Sequence, residues 1–78
     1  MATTPPAEAV AGEIRAEAAR QRITWRSLAE TTDIKRSTLA RRMADPSTLS
    51  YDELSSICAA LHIAPSDLMA RAQTAGAS

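Results

Sequence analysis

Residues 24–43 read TWRSLAETTDIKRSTLARRM, two short runs of helical spacing on either side of one tight turn. Leu28 and Ala29 fall in the middle of the first run, Ile34 follows the turn, and Leu39 lies in the second, so that together they close one small apolar contact. Ala29 matters for its size. Two helices crossing at a steep angle bring their backbones close, and a larger side chain would push them apart. The second run then turns Lys35, Arg36, Ser37, Thr38, Arg41 and Arg42 outward, a polar and cationic surface on a rod about as wide as a DNA major groove.

The longer run ITWRSLAETTDIKRSTLARRMADP resembles the helix-turn-helix of the lambda-repressor-like family, the phage repressor and Cro group. That family's pattern is Leu-Ala in the first helix, a turn, an Ile, then a polar helix ending in a hydrophobic residue and a loop. The likeness covers about Val10 to Ala72. It implies an all-α, compact five-helix domain with the helix-turn-helix at helices 2 and 3. Two positions depart from the pattern. Asp33 stands in the turn where the family often has Gly, and Asp tolerates the left-handed conformation better than most residues. Trp25 stands where the family often has Gln.

Seventy-eight residues are enough for one domain, and at this size an all-helical bundle with local contacts is among the few arrangements stable alone. The chain is 45% hydrophobic but holds no Phe, so its core is expected to rest on Ile, Leu, Met and one or two aromatics. Cys58 is the only cysteine, which excludes an intramolecular disulfide and a thiolate-rich metal site. It reads as a buried structural residue, and His62 as a helix-end residue near the negative end of the dipole. With one His, one Cys, no glycine-rich phosphate loop and no carboxylates at metal-ligand spacing, neither an enzyme nor a cofactor is expected.

Net charge is zero, yet its distribution is uneven. From Ile14 to Met43 the chain sets Arg15, Arg20, Arg22, Arg26, Lys35, Arg36, Arg41 and Arg42 against Glu17, Glu30 and Asp33. A phosphate backbone responds to that local field, although charge alone fits an ion-paired solvated surface equally well. No apolar run reaches the length of a membrane span and the N-terminus lacks the order of a signal peptide, so a soluble protein of a bacterial host cytoplasm is expected.

In chain order, residues 1–6 are expected to be a disordered arm, residues 7–73 the domain, and residues 74–78 a frayed tail, with fraying beginning near Gln73. Helix 1 is expected over Ala7–Arg22, with Val10, Ala11, Ile14 and Ala18 as its apolar stripe. Thr24 caps helix 2, Trp25–Thr31. Helix 3 spans Arg36–Met43, and a polar loop follows from Asp45 to Leu49. Ser50 and Glu53 form a capping box for helix 4, Tyr51–Leu61, which buries Leu54, Ile57, Cys58 and Leu61. Helix 5 begins at Pro65 and packs through Leu68 and Met69.

The resemblance implies a sequence-specific regulator of double-stranded DNA, in which the second helix of the motif lies in the major groove. Carried over residue by residue, it makes Arg36, Ser37 and Arg41 the base readers. Arginine donates two parallel hydrogen bonds to guanine, so each half-site is expected to hold a guanine. Lys35, Arg42, Arg26, Thr24, Ser47 and Thr48 are the phosphate candidates, and Thr38 offers a methyl to thymine or a hydroxyl to phosphate. Trp25 either packs on the sugar-phosphate chain or covers the core edge. Family members commonly bind as two-fold dimers, so a homodimer on DNA is expected. The chain's size is similar to that of Cro-type phage regulators, which repress by occupying an operator at a promoter. The alternative is an antitoxin-like or accessory protein-interaction module, with neither a membrane nor a small-molecule substrate in either reading.

Overall fold

The computed structural model describes residues 6–76 of the chain and contains five α-helices with one 3-10 turn: α1 Ala7–Arg20, α2 Trp25–Thr32, α3 Arg36–Ala44, η1 Pro46–Thr48, α4 Tyr51–Ala60 and α5 Pro65–Gly76. The expected N-terminal arm lies outside the described residues except for Pro6, which precedes α1. One core joins the helices. Ile14, Leu28, Leu39, Ile57, Leu61, Leu68 and Cys58 are its largest fully buried side chains, and α1 packs chiefly on α5 while α2 packs on α4 and α3. Ala29 is buried at the α2 crossing as its size requires.

Three reversals share one device. Arg22, Asp33 and His62 all adopt a left-handed backbone, with φ of 56°, 60° and 58°. Each is followed by an isoleucine, Ile23, Ile34 or Ile63, that packs half-buried against the core. After α1, the Arg22 and Ile23 amides donate to the Ala19 and Ala18 carbonyls at 3.1 and 2.8 Å; after α4, the His62 and Ile63 amides donate to Ala59 and Cys58 at 3.2 and 3.0 Å. This paired closure satisfies the last carbonyls of a helix. It stops α1 at Arg20, two residues before the expected end, because Arg22 has left the helical conformation. Partial burial of the Ile that follows helps offset the cost of a Cβ in that region, roughly 1 kcal/mol per residue.

Other boundaries also differ. Helices α2 and α3 each run one residue further than expected, and Leu61 is the cap of α4 rather than its last turn. The loop after α3 winds Pro46–Thr48 into a 3-10 turn. Helix α5 spans Pro65–Gly76, residues 77 and 78 of the expected tail lie outside the described residues, and fully buried Ala72 extends its packed face beyond Leu68 and Met69. A polar cluster reinforces that packing. Glu17 on α1 accepts from Gln21 Nε2 at 2.8 Å and from Arg71 Nη1 at 2.7 Å, while Gln21 Nε2 also donates to the Leu61 carbonyl at 2.6 Å.

Candidate nucleic-acid interface

Helix α2 is set by its first residue. Thr24 Oγ1 accepts the Ser27 amide at 3.1 Å, which orients α2 and places Trp25 at its start, 39% exposed. At the other end Thr32 Oγ1 donates to the Leu28 carbonyl at 2.8 Å and accepts the Ile34 amide at 3.4 Å, tying the turn to the helix it leaves. Asp33 then reverses the chain and Lys35 starts α3.

At 3.6 residues per turn, Arg36, Ser37, Ala40, Arg41 and Ala44 fall within an arc of about 140° on α3. All five are exposed; Leu39 and Met43, next round the helix from Arg36, are buried, and Thr38 and Arg42, next round from Arg41, are half-buried. The three expected base readers therefore share one solvent-facing side. Ala40 and Ala44 occupy its middle, and a search for polar readers passes them over because a methyl group carries no hydrogen-bonding signal. An alanine methyl at that place complements the methyl of thymine.

The cations divide into two sets. Arg20 and Arg71 lie 3.6 and 2.7 Å from Glu17, Arg26 lies 3.6 Å from Glu30, and Arg42 lies 3.2 Å from Glu53. Arg15 Nη2 donates to the Met43 carbonyl at 2.8 Å. Among the described residues Arg22, Lys35, Arg36 and Arg41 have no ion pair or side-chain hydrogen bond, and three of those four belong to the start and outer side of α3. The Arg26–Glu30 pair is exposed on both sides and holds Arg26 only weakly.

A groove of about 510 Å³ runs between this face, the second half of α1 and the start of α2. Arg15, Trp25, Arg26 and Arg36 line its walls and Leu39, Ala40, Met43 and Ala44 its floor. Trp25 thus lines a cationic cleft and at the same time borders the core residues Leu39 and Met43. Arg15 belongs to the basic set read from the sequence but not to its expected DNA contacts; its bond to Met43, 28 positions along the chain, holds it at the groove.

Ser47 and Thr48 stay exposed but already have partners within their own loop. Ser47 Oγ donates to Asp45 Oδ1 at 2.8 Å and Thr48 Oγ1 to the Asp45 carbonyl at 2.7 Å, so both hydroxyl protons are used to wind η1. Glu53 accepts the Ser50 amide and the Arg42 guanidinium, and these hold its carboxyl below the usual range against the opposing effect of burial. Glu17 is lowered likewise, first by Gln21 and then by Arg71 and Arg20. Burial raises the Cys58 thiol, which keeps it protonated and unreactive.

The family model of the Cro/C1-type HTH DNA-binding domain matches residues 13–73. The chain belongs to that family. Its all-α fold, its helix-turn-helix at α2 and α3, and its capacity for double-stranded DNA follow from that membership. No curated protein and no solved structure gives a significant match. Among the described residues no helix is long and apolar enough to cross a membrane.

Proposed function

We propose that this Cro/C1-type domain is a sequence-specific transcriptional regulator that, in the manner of Cro, inserts α3 in the DNA major groove and represses by occupying an operator. One observation carries the reading: Lys35, Arg36 and Arg41 are exposed without an anionic partner, whereas the cations facing the body are engaged. Arg36, Ser37 and Arg41 read base edges, and Ala40 between them meets a thymine methyl. Lys35, Arg26, Arg15, Thr24 and Trp25 meet the backbone where the groove beside α3 opens. Thr38, half-buried at the edge of the arc, contributes to the strand on its own side. Ser47 and Thr48 leave the phosphate list, because a hydroxyl whose proton is already donated offers a phosphate only lone pairs.

One half-site gives a reader of this size little affinity, so the operator is bound by a two-fold dimer across two half-sites a helical turn apart. Selection of bound duplexes from a random pool tests the whole reading. It should return a two-fold motif with a guanine in each half. Recovery of no motif, with equal affinity for any polyanion, would favour a protein-interaction module instead.

A further inference from the structure

Arg42 and Glu53 meet across the break between α3 and α4. Arg42 Nε donates to both carboxylate oxygens, at 3.2 and 3.3 Å, and the two side chains are only 29% and 21% exposed. The carboxylate is anchored independently of Arg42. Glu53 Oε1 accepts the Ser50 amide at 2.9 Å while Ser50 Oγ accepts the Glu53 amide at 3.1 Å, so the capping box fixes Glu53 to the start of α4.

Among the described residues, the polar ties between α3 and other helices are this pair and the Arg15 bond to the Met43 carbonyl. The two constrain different motions. A carbonyl at a helix end points along the axis, so the Arg15 bond holds the end of the rod in place but resists its rolling weakly. Arg42 projects sideways, and clamping its guanidinium resists roll. Arg42 follows Arg41 on the same rigid helix, so its restraint also sets where Arg36, Ser37 and Arg41 point. Functional groups need their supports to hold them within about 10–20°. An arginine held this way is also withdrawn from DNA, since leaving Glu53 would strand a half-buried carboxylate near the phosphates.

We infer that Glu53 is a positioning residue of the DNA-binding face: it neutralises Arg42, withholds that charge from sequence-independent phosphate binding, and fixes the roll of α3 so that its three readers address one groove. The inference rests on the reading of α3 as the DNA-reading helix. It makes Arg42 part of the frame rather than a phosphate contact.

The test uses Glu53→Gln, because glutamine still accepts the Ser50 amide and keeps the capping box while losing the charge. In the variant, freed Arg42 should tighten binding to random duplex and steepen the slope of log affinity against log salt by about 0.9, the value of one phosphate contact. Preference for the selected site over random duplex should fall roughly tenfold, the size of one misplaced base contact. Arg42→Gln alone should lose the same preference with the random-duplex slope unchanged, and adding it to Glu53→Gln should abolish the gain on random DNA. In the free protein, the Arg42 Nε–H resonance should be protected from solvent exchange in the wild type and exposed in Glu53→Gln.

If Arg42→Gln by itself flattens the slope by about 0.9, Arg42 contacts phosphate and the inference fails while the DNA reading stands. A Glu53→Gln variant that changes only thermal stability, with slope and preference intact, reduces the pair to a structural tie and overturns the inference as well. An unprotected Nε–H in the wild type removes the clamp without involving DNA. Failure of the wild type to bind any duplex defeats the underlying reading, and this inference with it.

Discussion

Helices α3 and α4 are nearly equal in length, at nine and ten residues, and begin in opposite ways. Helix α4 opens on a complete capping box and places Asp52 and Glu53 in its first turn, where carboxylates meet the positive end of the helix dipole. Helix α3 opens on Lys35 with no side-chain cap, puts Arg36 at its first position and has no acid in its first turn. A missing cap costs about 1 kcal/mol, and a cation in the first turn a further 0.3–1 kcal/mol or so. Nine residues cannot sustain a helix under those terms alone. Helix α3 persists because Leu39 and Met43 are buried in the body. Local preference and global structure disagree here and agree at α4, and such disagreement is the mark of a functional segment. An anion at the start of α3 would remove the conflict.

The comparison breaks most completely at the anchor. Leu39→Ala should destabilise the protein by about 2–5 kcal/mol in urea unfolding, and the loss should be global because one core joins α3 to the other helices. Separate melting of α3 before the rest would show instead that the uncapped helix is a detachable unit.

Removing the readers should separate stability from function. Arg36→Ala and Arg41→Ala should each weaken binding to a selected site by about 1–3 kcal/mol while leaving random duplex nearly unchanged. Their unfolding midpoints should stay at the wild-type value or rise. Equal losses on both DNAs would assign these arginines to phosphate.

A smaller effect is expected at the reversals. His62→Gly, away from α3, should stabilise by up to about 1 kcal/mol by relieving the left-handed Cβ, as measured by thermal denaturation. Asp33→Gly should gain similarly and also tighten duplex binding slightly, since it removes an acid beside the cationic face. Loss of stability in both would mean that these side chains have contacts that outweigh the strain.

The mildest contrast is in pH. Glu17 and Glu53 have lowered pKa values in the folded protein, so their contribution is present above the usual carboxylate pKa and disappears as pH falls through the folded values. Urea midpoints should therefore decline gradually into the acid range, and Glu17→Gln should flatten part of that decline. A flat wild-type profile would contradict it.

What could be read from the sequence was local. The Thr24 cap, the Ser50–Glu53 box, Pro65 at the start of α5 and the left-handed Asp33 all involve residues within a few positions of one another, where spacing alone sets geometry. The exposed arc of Arg36, Ser37 and Arg41 followed from helical periodicity. Tertiary or competing partners explain what was missed. Arg42 is expected outward as part of a cationic run, but it lies off the exposed arc, where Glu53, 11 residues away, captures it, and Arg15 is drawn to Met43 from 28 residues away. Ser47 and Thr48 look like free hydroxyls until Asp45 takes their protons. The ends of α1 and α4 were misplaced because left-handed Arg22 and His62 lack the glycine that usually announces such a turn.

DNA should bind the side of the molecule whose cations lack partners. Backbone amide shifts followed during titration with a selected duplex test it directly. The largest changes should fall from Thr24 to Arg26 and from Asp33 to Arg41, with the Glu17–Arg71 side of α1 and α5 nearly silent. Changes centred on α5, or spread evenly over both sides, would place DNA elsewhere on the molecule.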